Sequence, residues 1–327
     1  MHAINLHPIL PVRAEASERS EQVTQLLFGE QFLTGDQKEG FVAISNLADG
    51  YTGWVDSRMI DFIDQSTWQQ LAAAPKWLSS LPVTEAVSLC DQHVIRLSCG
   101  SILPGYNQET RMFGFGERVW SLTSCRPKAP GEPYLKGITE TAMQFLHTPY
   151  LWGGKGIFGI DCSGFTQIVY SLHGVSIPRD AKDQAMCGTV ITSLQEGQAG
   201  DLVFFAAEGK GISHVGILLD DNTVIHASGS VRLDKITQDG LVSTPQVTYT
   251  KPLVKICRYI ERLLLSLITR GDDFSALFAK LKPCCRLLHP VFSRNAHYGS
   301  SLWCGKAHEA THSQSDVQVK ASGYRRD

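Results

Sequence analysis

Apolar and β-prone positions come in short runs through the first sixty residues, at 8–12, 25–28 and 41–44, with Gly29, Gly35, Gly40 and the Asp49-Gly50 pair between them. Runs this short, closed off by turn formers, predict strands of a small barrel, because an amphipathic helix needs a longer stretch. Tyr51-Thr52-Gly53-Trp54-Val55 follows, and Trp54 is expected in the barrel core. A polar stretch at 64–70, containing Trp68, leads into a second β-like region at about 78–122. Pro82, Gly100, Pro104-Gly105 and the glycines at 114 and 116 cut that region into pieces, and a second, more divergent barrel fits its length. Residues 126–133 then hold three prolines and a glycine, which marks a linker and a domain boundary.

Beyond the linker the period changes. Residues 139–146 have helical character, ended by Thr148-Pro149, and 163–172 read as a helix with Phe165, Ile168, Val169 and Leu172 on one face. Residues 202–205, 215–219 and 224–226 read as short apolar strands. Helices first and strands afterwards predict an α+β domain. The chain is therefore expected to divide into 1–62, 63–130, 131–262 and a tail at 263–327.

That tail has a different composition. It carries nine Lys/Arg against five Asp/Glu, or +4, while the remaining 21 Lys/Arg and 27 Asp/Glu give residues 1–262 a charge of -6. Residues 263–281 could form one or two amphipathic helices, and the polar end from 308 is expected to be disordered. Cys284, Cys285, Cys304, His308 and His312 match no common zinc-finger spacing, so no metal site is expected.

Composition narrows the functional classes. Of the 327 residues 43% are apolar and 19% charged, which excludes a disordered chain, and a net charge of -2 offers no bulk attraction for nucleic acid or an anionic membrane. No apolar run nears the roughly 18 residues that span a bilayer. Pro8, Pro11, Arg13 and Glu15 interrupt the first thirty residues, so no secretory signal is legible and a cytoplasmic protein is expected; an upstream start would turn it into an exported one. Nine cysteines, an odd number without a repeating framework, argue for reduced thiols, of which at least one could be chemical.

The chemistry concentrates in a few places. Cys162, in Asp161-Cys162-Ser163-Gly164-Phe165, sits where a Gly-rich turn enters a helix. Unpaired amides and the helix dipole there favour an anion, so a lowered thiol pKa and a ready oxyanion site are expected. His214 lies 52 residues on, at the start of an apolar strand, and His226 a further 12 on, at the end of the next. A hairpin around Asp220-Asp221-Asn222 would bring the two imidazoles side by side, as a base and the polar partner that fixes its tautomer.

Six segments, in order, resemble the NlpC/P60 cysteine peptidases: Tyr150-Leu151-Trp152-Gly153-Gly154, Asp161-Cys162-Ser163-Gly164-Phe165, Pro178-Arg179-Asp180-Ala181, Gly200-Asp201-Leu202-Val203-Phe204-Phe205, His214-Val215-Gly216-Ile217 and Ile225-His226-Ala227-Ser228. Val12-Arg13-Ala14-Glu15, Leu27-Phe28-Gly29-Glu30 and Tyr51-Thr52-Gly53-Trp54-Val55 are similarly placed to the motifs of bacterial SH3-like domains. The resemblance covers roughly 1–260 and leaves out the tail. It implies a papain-like catalytic domain behind two SH3-like β-barrels, with Cys162 as nucleophile, His214 as general base and His226 as its orienting partner.

Within the family the likeness is to the γ-D-glutamyl-L-diamino acid endopeptidases. It implies a short murein peptide with a free N-terminal L-Ala as substrate, no cofactor, and recycling of wall fragments. Asp161 and Ser163 are then expected to hold the free amino end, with Tyr150 lining the pocket and Tyr51 closing it from the first barrel. Glu21 or Glu30 could add a second carboxylate, and Arg179 and Asp180 either line the site or pair with each other. Asp161 could instead be only a helix cap, and Tyr150 and Trp152 only packing. Three alternatives stay open: an amidase or acyltransferase on the same fold, an exported wall-remodelling enzyme, and a non-catalytic wall-peptide binder. The preferred diamino acid and the oligomeric state are not legible.

Overall fold

The computed structural model describes residues 1–80, 82–124, 127–129, 137–206, 211–242 and 250–259. The tail at 263–327 and its Cys284, Cys285, Cys304, His308 and His312 lie outside the described residues, as does most of the proline-rich linker.

The first sheet is antiparallel and contains β1 (His2–Ile4), β2 (Ile9–Arg13), β3 (Gln22–Leu27), β4 (Gln31–Lys38), β5 (Phe41–Asn46), β6 (Thr52–Asp56) and β7 (Asp61–Ile63). Its spatial order is β3-β2-β6-β5-β4-β1-β7. Alternation along the strands sends Ala3, Leu10, Val12, Leu26, Phe32, Ile44 and Val55 into one core. Trp54 does not join them. It is half-buried and pairs across β5 and β2 with Ala43 and Arg13. Successive residues of a strand face opposite sides, and Val55, fully buried, takes the inside position. Strand β4 was not foreseen because its second half, Gly-Asp-Gln-Lys, is polar and exposed.

The polar stretch after β7 folds as α1 (Gln65–Ala73), with the Asp64 carboxylate accepting the Thr67 N–H as its cap. Next come β8 (Trp77–Leu78), β9 (Val83–Ser88), β10 (Val94–Ser98), β11 (Ile102–Leu103), β12 (Met112–Phe115) and β13 (Arg118–Leu122). They form a sheet of order β10-β9-β13-β12 and a two-stranded ribbon of β11 and β8. Phe28, from the end of β3, enters this second core, its ring edge-on to Phe113 at 5.8 Å and to Trp120 at 5.1 Å.

The remaining elements are α2 (Ile138–Met143), β14 (Lys155–Gly156), β15 (Gly159–Ile160), α3 (Cys162–Leu172), α4 (Ala181–Gln184), β16 (Thr189–Ile191), β17 (Leu202–Ala206), β18 (Ile212–Asp220), β19 (Thr223–Ser228), β20 (Ser230–Thr237), β21 (Gly240–Val242) and β22 (Thr250–Arg258). Helix α2 is shorter than the sequence predicts, since Phe145 and Leu146 donate only three residues back, to Ala142 and Met143, ahead of Pro149. The sheet runs β16-β22-β17-β18-β19-β20-β21, and β21 pairs back onto β22, closing a six-stranded barrel. Val203, Phe205, Leu218, Val224, Ile236, Leu241 and Ile256 fill its inside. Phe204, Val215, Ile217 and Ile225 face outward onto Phe165, Ile168, Val169 and Leu172 of α3, the face read from the sequence. The chain thus has the α+β, papain-like architecture expected of it, with small β-barrel units in front.

Strand β3 is the seam between the first barrel and the loop that leads to α3. The Gln22 side-chain amide donates to the Trp152 carbonyl at 2.9 Å, and the Gln25 side chain accepts the Lys155 N–H at 2.9 Å. Gly153 has φ +71°, and a Cβ there would lie 2.3 Å from the Gln22 carbonyl oxygen, so only glycine permits this approach. The Lys155 ammonium and the Glu30 carboxylate meet at 2.6 Å, both buried, while the other Glu30 oxygen accepts the Leu27 N–H at 2.6 Å.

Removing one partner of such a pair strands the other without water. Glu30→Leu is therefore expected to cost about 3–5 kcal/mol in urea unfolding. The double variant Glu30→Leu/Lys155→Met is expected to be the more stable of the two; equal stability would show that the ammonium finds water.

Candidate active site

The start of α3 is built by Asp161. Its backbone is extended, and its carboxylate accepts the Gly164 N–H at 2.7 Å as the helix cap. Gly164 is glycine for a steric reason: a Cβ there would stand 2.3 Å from the Gly154 carbonyl oxygen. The same carboxylate accepts the Gly153 N–H at 2.9 Å and the Ser163 hydroxyl at 3.3 Å. Arg179 closes on it in bidentate fashion, Nη1 to Oδ1 at 3.0 Å and Nη2 to Oδ2 at 2.7 Å. Arg179 is 3% exposed, and it also donates to Ser163 Oγ at 2.9 Å and, through Nε, to Thr24 Oγ1 of the first barrel at 2.8 Å.

Two of the alternatives left open by the sequence take shape here. Arg179 pairs with Asp161 and not with Asp180, because its guanidinium is buried beneath the helix start. Asp161 is a cap and an ion-pair partner before any substrate arrives. Its two oxygens already accept from five donors.

Cys162 is the first residue of α3 and 8% exposed. Its thiol is pushed up to about 11, chiefly by burial and then by the neighbouring Asp161 carboxylate. A backbone hydrogen bond from Val215, Lys251 and Arg179 act the other way and do not prevail. Burial and the Asp161 carboxylate thus oppose the lowering expected from the helix dipole.

The Val215 amide places Cys162 against β18, next to His214. Strands β18 and β19 form the foreseen hairpin, with Ile217 opposite Ile225 and Leu218 opposite Val224. It brings His214 Nε2 within 2.8 Å of His226 Nδ1, both rings buried. Burial, then the His226 and Lys251 charges, holds His214 well below the ordinary imidazole value. His226 is also lowered, by burial first, with Asp234 opposing.

Asp234, on β20, was missed. It lies opposite Val224, so it faces the barrel interior, and its Oδ2 is 3.0 Å from His226 Nε2. Its Oδ1 accepts Arg232 Nη2 at 2.7 Å. Burial favours the neutral acid, yet the hydrogen bonds from His226 and Arg232 keep it below the usual carboxylate range. The one available signal was a charged residue at an inward position of an alternating strand.

The remaining candidates divide. Tyr51, 129 residues away in sequence, reaches from the first barrel to donate to Asp180 Oδ1 at 3.1 Å. Burial and the Asp180 carboxylate push its phenol up to about 12. Tyr150 is half-buried and packs against the core cluster that holds Cys162, and its phenol is raised by burial and then by the Cys162 and Asp161 charges. Glu30 is committed to Lys155 below the seam and leaves the pocket. Glu21 accepts the indole N–H of exposed Trp152 at 2.6 Å.

A buried thiol with a neutral imidazole nearby should stay protonated at rest. Iodoacetamide alkylation of Cys162, followed on its own proteolytic peptide, is expected to quicken continuously from about pH 7 upward. A plateau already reached below about pH 7 would reveal a preformed thiolate and overturn that reading.

Comparison with known proteins agrees with this geometry. Residues 147–250 match the NlpC/P60 family and residues 12–60 match the bacterial dipeptidyl-peptidase Sh3 domain. The chain is 33% identical over 217 residues to the gamma-D-glutamyl-L-lysine dipeptidyl-peptidase of Bacillus subtilis, covering 62% of this chain and 71% of that one. It is 27% identical over 244 residues to dipeptidyl-peptidase 6 of Lysinibacillus sphaericus, covering 70% and 88%. In fold it is similar to an NlpC/P60 family protein from Bacillus cereus, with a TM-score of 0.69 at 20% identity over 80% of this chain and all of that one. The helix-borne cysteine, the barrel behind it and these matches together make the chain a member of the NlpC/P60 family and a cysteine peptidase.

Proposed function

We propose that this peptidase hydrolyses the bond between γ-D-glutamate and an L-diamino acid in short murein peptides that begin with a free L-Ala. The observation that carries the reading is the Tyr51–Asp180 hydrogen bond at 3.1 Å, which ties the first barrel to the residue ahead of α4; in this reading the barrel is a wall at one end of the substrate site. A glycan-linked peptide would run into that wall, whereas a short peptide ending in an ammonium would meet carboxylate there. Asp180 is the carboxylate with acceptor capacity to spare, since Asp161 is already committed to Arg179. Ser163, Tyr150 and Tyr51 complete the pocket. The printed names of the Bacillus relatives specify a γ-D-glutamyl bond, which supports the same choice.

In this reading Cys162 is the nucleophile, His214 the general base and His226 its orienting partner. Because burial keeps the thiol protonated, its proton passes to His214 as sulfur attacks the γ-glutamyl carbonyl. The Cys162 and Ser163 amides, which remain once Asp161 has taken those of Gly164 and Phe165, are the donors for the developing oxyanion. His214 then gives the proton to the leaving amine and activates water against the thioester. A role in recycling inside the cell belongs to the same proposal, and fractionation of native cells checks it.

The test is hydrolysis of L-Ala-γ-D-Glu-meso-diaminopimelate and its L-Lys counterpart, each with a free and an acetylated N-terminus. Release of L-Ala-D-Glu from the free peptides alone, abolished by Cys162→Ala, is the expected result. Asp180→Asn is expected to raise KM for the free peptide roughly tenfold or more, with kcat less affected. Equal cleavage of the acetylated peptide would discard the amine pocket, and no cleavage of either would favour an amidase.

A further inference from the structure

The row of hydrogen bonds that begins at His214 does not end at His226. It continues through Asp234 to Arg232, and the protons along it can be assigned by elimination. Asp234 is buried, and its Oδ2 lies 3.0 Å from His226 Nε2. An ionised carboxylate only accepts, so His226 carries its proton on Nε2. A neutral His226 then has a lone pair on Nδ1, and His214 Nε2, 2.8 Å away, must donate to it. A neutral His214 protonated on Nε2 has its lone pair on Nδ1, the one ring nitrogen left to receive the thiol proton.

We propose that Asp234 is a positioning residue that sets the tautomers of both His226 and His214, leaving Nδ1 of His214 unprotonated toward Cys162. The inference rests on Cys162 and His214 acting as nucleophile and base, and not on which peptide is cut. When sulfur attacks, the thiol proton moves to His214 Nδ1. The resulting imidazolium keeps its Nε2–H on His226, and Asp234 stays ionised. Arg232 contributes by direction: its Nη2 on Asp234 Oδ1 at 2.7 Å leaves Oδ2 for His226.

This arrangement makes Asp234→Asn specific in its consequence. Arg232 still requires an acceptor, so the asparagine oxygen stays on Arg232 and its NH2 turns to His226. His226 must then accept on Nε2 and donate from Nδ1, His214 must accept on Nε2, and Nδ1 of His214 carries the proton. The base is blocked while the shape is unchanged. The charged and titratable groups facing this relay are Asp234 and Arg232 on β20, Lys251 on β22, and Cys162 with Asp161 at α3.

The experiment compares the full chain with Asp234→Asn, Asp234→Glu and Asp234→Asn/Arg232→Ala. Three readouts are taken: ring-nitrogen NMR of His214 and His226, assigned with single His→Gln variants, the pH profile of Cys162 alkylation by iodoacetamide, and hydrolysis of L-Ala-γ-D-Glu-meso-diaminopimelate. Nδ1 of His214 is expected unprotonated in the unaltered chain and protonated in Asp234→Asn. In that variant alkylation near neutral pH should slow, and kcat should fall at least tenfold, toward the roughly 10⁴-fold cost of reversing a triad tautomer, with KM little changed. Asp234→Glu should restore the tautomer and most of the rate. Removing Arg232 as well lets the amide turn over, so the double variant should outpace Asp234→Asn.

A protonated Nδ1 on His214 in the unaltered chain overturns the proposal, whether or not any variant folds. So does an Asp234→Asn protein with unchanged ring signals and alkylation profile, or a double variant no faster than the single one. If the unaltered chain cleaves no peptide while the tautomers and alkylation behave as stated, the substrate reading fails and the role of Asp234 stands.

Discussion

The bidentate pair between Asp161 and Arg179 holds several parts of the molecule at one point. Through Asp161 it fixes the first turn of α3 and the Gly153 amide, and through Arg179 it reaches Ser163, the Gly154 carbonyl and Thr24 of the first barrel. Helix start, approach loop and barrel wall therefore share one buried charge cluster. Neither charge can leave it without the other, because water does not reach the guanidinium to compensate. The position of Cys162, one residue along, inherits the rigidity of that cluster.

The same cluster shapes the electrostatics of the site. A carboxylate at the helix cap stabilises the fold of the turn but opposes a second negative charge on the adjacent sulfur. His214 is pressed toward the neutral form by burial and by a second imidazole. A neutral thiol facing a neutral base is the resting arrangement these terms favour, with charge separation reserved for the moment of attack. Such a site depends on the placement of its protons, because neither group carries a standing charge.

Proton placement in turn depends on barrel closure. His214 and His226 sit on neighbouring strands of a hairpin, but the carboxylate that orients them comes from β20, held in register when β21 pairs with β22. The apolar side chains of the barrel interior seal the inner end of this polar row, which keeps its hydrogen bonds in a low dielectric. On the other flank, β3 carries the seam to the first barrel through Gln22, Gln25 and Thr24, side chains of a single strand. One short strand thereby ties the first barrel to Arg179 and to the loop that leads to α3.

Much of this was present in local sequence. The helix from Cys162 and the hairpin joining the two histidines follow from period and turn residues within thirty positions, so their geometry is set by neighbours along the chain. Trp54 went the other way because a one-residue choice of strand face decides burial, and Val55 occupied the inner side. The thiol was expected low because a helix N-terminus is a local feature, whereas desolvation is a property of the packed surroundings. Asp234 and the true partner of Arg179 escaped notice for a related reason: each acquires its role from a strand or loop distant in sequence. The sequence by itself determined which residues could do chemistry and on which elements they ride. Only the tertiary structure decided which of their charges and protons face one another, because Coulomb and hydrogen-bond energies depend on separations of a few ångströms that folding alone sets.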